Sequence, residues 1–140
     1  MKYSGTNTAE SVQTSVITTS TLCIPARFSL TLKNLPLNNG DIYIAIYNSE
    51  GTFMNSPCAV RKVSREESES IINFHLTMGV YSVLVFQDQN GDGVLNRNTY
   101  GIPTEPWTTS ANTGRTTGKP TWSETRFKID ELVDHLEIEF

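Results

Sequence analysis

Alternation at a period of two constrains this chain more than any other feature. In "DIYIAIYN", Ile42, Ile44 and Ile46 fall on one side and Tyr43, Ala45 and Tyr47 on the other, a spacing that an extended strand sorts onto two faces and a helix does not. The same pattern recurs in "FSLTLKNL", with Phe28, Leu30 and Leu32 in step, and in "SIINFHL", with Ile72, Phe74 and Leu76 in step. Further short strands are expected near 59–63, in "TRFKID" and in "HLEIEF", while "MGVYSVLVFQD" is apolar on both faces and reads as a strand buried on both sides. Turn residues such as "PLNNG" separate these runs, and only "SREESES" or "DELVD" suggests a helical turn. About seven short strands with almost no helix predict an all-β, antiparallel β-sandwich of the immunoglobulin-like kind.

With 140 residues, the chain has material for one core. Residues 25–140 are expected to form that single domain, and 1–24, rich in Ser and Thr, a flexible leader. The stretch "SVQTSVITTST" within the leader is β-prone, a candidate for adding a strand to a sheet edge. A net charge of −4 with unclustered Lys and Arg gives no footprint for nucleic acid or an anionic membrane surface. No apolar run reaches membrane-spanning length, so no membrane insertion is expected, and no secretory signal is visible. Cys23 and Cys58 carry no zinc spacing. They fit equally a disulfide closing a loop of about 36 residues, worth roughly 3–4 kcal/mol, or two free thiols.

The chemistry concentrates in "DQNGDGVLNRN", where Asp88, Asn90 and Asp92 alternate before Gly93. A hard cation such as Ca²⁺ takes six to eight oxygen ligands, and calcium loops of EF-hand type supply them through D-x-[DN]-x-[DN]-G, the glycine permitting the sharp turn. Asp88 and Asp92 would supply charge, Asn90 and Asn96 neutral oxygens, and Val94 a backbone carbonyl. The twelfth position is Thr99 in place of the bidentate Glu that such loops use, so a weak site is expected unless Glu105 swings in. The competing reading is a plain turn, because Asn, Asp and Gly favour turns without any metal.

After this loop, 99–120 offers no periodicity, and a segment that long in a compact domain is usually functional or disordered. Tyr100, Glu105 and Trp107 within it are candidate ligand contacts, the two aromatics as a platform for a sugar ring. Other constellations are weaker. "GRTTGKP" lacks the spacing and the Ser or Thr of a phosphate loop. His75 and His135 are expected on the surface, without the companions of a triad. Glu105 and Glu124 have no known separation on which a glycosidase pair could be argued.

The segments "LTLKNLPLNNGDIYIAIYNSEGTF", "AVRKV", "GVYSVLVFQDQNGDGVLNRNTYGIPTEPWTTSAN" and "GKPTWSETRFKID" resemble the uncharacterised bacterial family known as domain of unknown function 2141. The resemblance covers nearly all of 28–140. It implies an exported or periplasmic protein with a transthyretin-like or carboxypeptidase-regulatory-like β-sandwich and no established activity. It also implies an acid where Asn96 stands, and a Gly-Tyr or Gly-Phe pair where Pro106 and Trp107 stand; Trp107 keeps an aromatic at the loop tip. The leading expectation is an exported, non-enzymatic module, extracellular or periplasmic, in which the loop 88–98 binds Ca²⁺ and orders 99–120 for a protein or glycan partner. The alternative is a carbohydrate-binding or surface-assembly module in which the loop is a structural turn; a hydrolase working through Glu105 comes third.

Overall fold

The computed structural model describes residues 24–111 and 119–140. The expected leader, its strand-addition segment and Cys23 therefore lie outside the described residues, while Cys58 is exposed. Eight strands are present among the described residues: β1 (Pro25–Lys33), β2 (Asp41–Tyr47), β3 (Ala59–Val63), β4 (Ile72–Thr77), β5 (Gly79–Asp88), β6 (Trp107–Thr109), β7 (Phe127–Ile129) and β8 (Val133–Glu139). They form two sheets, one ordered β4-β1-β8 and the other β3-β2-β5-β6, with β7 also paired to β5. The chain is an all-β sandwich.

The alternating residues do what their spacing requires. Phe28, Leu30, Leu32, Ile42, Ile44, Ile46, Ile72, Phe74, Val83 and Val85 meet between the sheets in one buried cluster. Each such side chain contributes about 1.5–3 kcal/mol by leaving water. The opposite face of the larger sheet is also covered. Ala45, Tyr47, Leu84, Phe86, Leu95 and Trp107 form a second cluster there, with Tyr43, Phe53, Met54 and Trp122 against it. This explains why β5 reads apolar on both faces: its even-numbered residues Leu84 and Phe86 lie beneath loops, not beneath a sheet.

Three features depart from the expected architecture. The pairing of β1 with β8 is parallel, from Arg27 opposite Val133 to Lys33 opposite Glu139, whereas every other strand pair is antiparallel. Trp107, Thr108 and Thr109, expected within a loop, form β6 opposite Phe86, Val85 and Leu84. A helical turn α1 (Trp122–Thr125) follows Thr121, whose side chain accepts from the Glu124 N–H while the Glu124 carboxylate accepts from the Thr121 N–H. That reciprocal cap was written in the sequence as T-x-x-E. It sets Trp122 against Phe53, centroids 6.1 Å apart.

The expected surface histidines are exposed. His135 nevertheless lies beside Ser29, with Nδ1 2.7 Å from the serine hydroxyl and Nε2 3.2 Å from the Thr31 hydroxyl. Both ring nitrogens face hydroxyls of β1, so no carboxylate orients the ring for base catalysis.

Candidate metal centre

Strand β5 ends on Asp88, and the chain then folds around that side chain. Asp88 is only 5% exposed. Its Oδ1 accepts from the N–H groups of Gly91 and Asp92, and its Oδ2 accepts from Gly93 at 2.8 Å. Such a wrap needs consecutive N–H groups aimed inward, and Gly91 and Gly93 provide it with φ of +76° and +74°. Asp92 continues the pattern. Its Oδ1 accepts from the Val94 N–H, and its Oδ2 accepts from the side-chain amides of Asn96 and Asn90. Leu95 plugs the loop into the outer cluster on the larger sheet.

The segment after Leu95 is a tight hairpin. Asn98 donates its N–H to the Ile102 carbonyl, Thr104 donates to the Asn96 carbonyl, and Arg97 pairs with Pro103. The Asn98 side-chain oxygen accepts from the N–H groups of Tyr100 and Ile102 inside the turn. Asn98 is thus a turn residue. The hairpin's length returns the chain to the loop 88–96 at Glu105, which is 7% exposed. Its Oε2 accepts from the Gln89 N–H at 2.8 Å, and its Oε1 from the Asn96 N–H at 3.2 Å.

As a result, Asp88, Asp92 and Glu105 each bring one carboxylate oxygen within 4.8 Å of the others. The ion pairs among the described residues join Lys33 to Glu137, Lys62 to Asp41 and Arg65 to Glu69, and leave these three acids without a cationic side chain. Two buried carboxylates and a third beside them repel one another unless a cation or proton intervenes. The Asn90 side chain lies in the same cluster, donating to Asn96 Oδ1 at 2.9 Å. The donor set is oxygen throughout, as Ca²⁺ requires.

The other named residues are spread further apart. Tyr100 stands at the hairpin tip, 86% exposed. Trp107 does not stay at a loop tip: it is 7% exposed and packed on the larger sheet. Strand pairing with β5 turns its ring inward beside Phe86, where burial of a large aromatic outweighs any gain from exposure.

The Val94 N–H, followed by the amides of Asn96 and Asn90, holds the Asp92 carboxyl below its ordinary pKa of 3.8. A depressed folded value means that ionised Asp92 favours the native loop at any pH above 3.8, and that this contribution is lost as pH falls through the lower folded value. A carbon-detected NMR titration in chelator should therefore give Asp92 a midpoint below 3.8. A midpoint at or above that value would show the loop's hydrogen bonds absent in solution.

A family model described as "uncharacterized protein conserved in bacteria (DUF2141)" matches residues 30–136, and the chain belongs to that family. No curated protein and no solved structure is significantly similar to it.

Proposed function

We propose that this member of an uncharacterised bacterial family is a non-enzymatic binding module whose loop 88–98 holds Ca²⁺, and that the ion orders the hairpin 96–104 for contact with a partner. The observation that carries this reading is the convergence of Asp88, Asp92 and Glu105 within 4.8 Å, with no ion pair to a cationic side chain among the described residues. Asp88, Asp92 and Glu105 would supply charge, Asn90 and Asn96 amide oxygens, and Val94 its carbonyl. Glu105 takes the part left open by Thr99, reaching the site across the hairpin instead of along the loop. Tyr100 and Ile102 at the hairpin tip are the surface offered to a partner. Weak calcium sites of this kind suit extracellular modules, so the protein acts outside the cytoplasm. A sugar platform built on Trp107 finds less support, because that ring is packed inside.

Thermal and denaturant unfolding after exhaustive chelation, repeated with rising Ca²⁺ and Mg²⁺, tests the reading. Calcium should raise stability by about 2.7 kcal/mol at a hundredfold excess over Kd. Mg²⁺ should act more weakly, since it demands near-octahedral geometry and dehydrates reluctantly. The rise should vanish in Glu105→Gln. An unfolding midpoint that stays still up to millimolar calcium would remove the ion from the function.

A further inference from the structure

Away from the carboxylates, the segments 53–57 and 93–97 flank an open cleft of about 640 Å³ on the outer face of the larger sheet, within the size range of small-molecule sites. Its floor is apolar and aromatic. Leu84 and Phe86 come from β5, and the Tyr43 ring from β2 stacks on Phe86 with centroids 5.2 Å apart and planes 7° from parallel. Met54 and Val94 add further apolar lining.

Polar side chains interrupt this lining, among them Asn55, Asn96, Tyr47 and Arg97. Tyr47 is 4% exposed, and its hydroxyl has no hydrogen-bond partner among the described residues. A phenol that deeply buried normally has one. Arg97 lines the same cavity and takes part in no ion pair among the described residues. Burial pushes the Tyr47 phenol above 10.0 while the Arg97 charge pulls it back, so the guanidinium lies within electrostatic reach of the hydroxyl. No carboxylate lines the cavity.

We infer that this cavity binds a small organic monoanion with a flat apolar body, an aromatic carboxylate in chemical class, its anionic group on Arg97 and Tyr47 and its ring on the Tyr43 and Phe86 floor. A guanidinium fork matches a carboxylate in a bidentate way, and the phenol adds a third donor. The stacked Tyr43 and Phe86 floor favours a flat ring over the puckered, hydroxylated ring of a sugar acid, which would have only the rim amides of Asn55 and Asn96 as partners. The inference goes beyond the ion reading and does not require it, although residues 93–97 belong both to the cavity wall and to the ion loop.

Naphthoate, its neutral counterpart naphthamide, and glucuronate are the probes, titrated by amide NMR into the full chain, once with calcium and once with chelator. Saturable naphthoate shifts mapping to 53–57 and 93–97 in either condition are expected. Naphthamide should bind at least about tenfold more weakly, and Arg97→Gln should weaken naphthoate by a similar factor, with Tyr47→Phe costing about threefold or more. Both variants should keep the wild-type unfolding midpoint, since Arg97 is exposed and Tyr47→Phe removes one atom. Absence of saturable naphthoate binding, equal affinity for naphthamide, indifference to Arg97→Gln, or equally tight glucuronate binding would each overturn the inference. The calcium titration of the unfolding midpoint judges the ion reading separately.

Discussion

Gly40→Ala should lower the unfolding free energy by about 3–5 kcal/mol, combining roughly 1–3 kcal/mol of backbone strain with a similar penalty for overpacking. Gly40 has φ of +147°, and a Cβ built there would stand 2.6 Å from the Asp88 carbonyl oxygen and 3.0 Å from Gln87 Cγ. Neither neighbour yields easily. The Asp88 carbonyl belongs to the end of β5, where Asp41 and Asp88 are register partners, and Gln87 is fully buried with its amide donated to the Asn38 carbonyl at 2.6 Å. Relief of the clash must therefore move the strand end that carries the loop 88–98. Two measurements should change together: the denaturant midpoint falls, and the calcium concentration needed for half-maximal stabilisation rises. Gly51→Ala is the control, because a Cβ there meets nothing within 4 Å; it should be neutral or gain up to about 1 kcal/mol. A Gly40→Ala midpoint equal to the control's would show that the turn 34–40 relaxes freely and does not set the position of Asp88.

Much of this fold was legible because burial on a pleated strand has a period of two. Ile42, Ile44 and Ile46 announced both β2 and its inner face, and the spacing of Asp88 and Asp92 announced two members of the acidic cluster. What escaped was non-local. Nothing in "HLEIEF" distinguishes a parallel neighbour from an antiparallel one, since the choice depends on where the preceding chain delivers the strand. Nor could the pairing of Trp107 with Phe86 be read along the chain, because three residues are too few for a period, and tertiary contact decides. The hairpin left a fainter trace: Asn98 and Gly101 are turn residues at a spacing that brings Pro103 back beside Arg97, and its consequence is Glu105. The likeness to EF-hand loops directed attention to the twelfth position, yet the third acid sits beyond it. The phenol of Tyr47 beside Arg97 had no local signal, since a Tyr on the outer face of a strand reads the same whether or not a loop closes over it.

These non-local placements give Asp88 a structural role and, on the proposed reading, an ionic one, and its replacement separates the two. Asp88→Ala should destabilise the protein by about 2–3 kcal/mol even in chelator. Three N–H groups lose a charged acceptor worth roughly 1.5–3 kcal/mol each before non-additivity. Against this stands the relief of repulsion from Asp92 and Glu105, about 3.5 kcal/mol per pair at 4.8 Å and an effective dielectric of about 20, and smaller for Asp92 because solvent screens it. The hydrogen bonds win. Asp88→Asn keeps the shape and one acceptor oxygen while removing the charge, so it should recover part of that loss. In calcium the two variants should keep the same spacing as in chelator, because neither would retain the carboxylate proposed to anchor the ion, and both should lack the calcium-dependent rise expected of the wild type. Unfolding curves of all three proteins, in chelator and in calcium, decide the matter. If Asp88→Asn kept the full calcium response, the charge at this position would be irrelevant to ion binding and Asp88 would serve the loop through its hydrogen bonds alone.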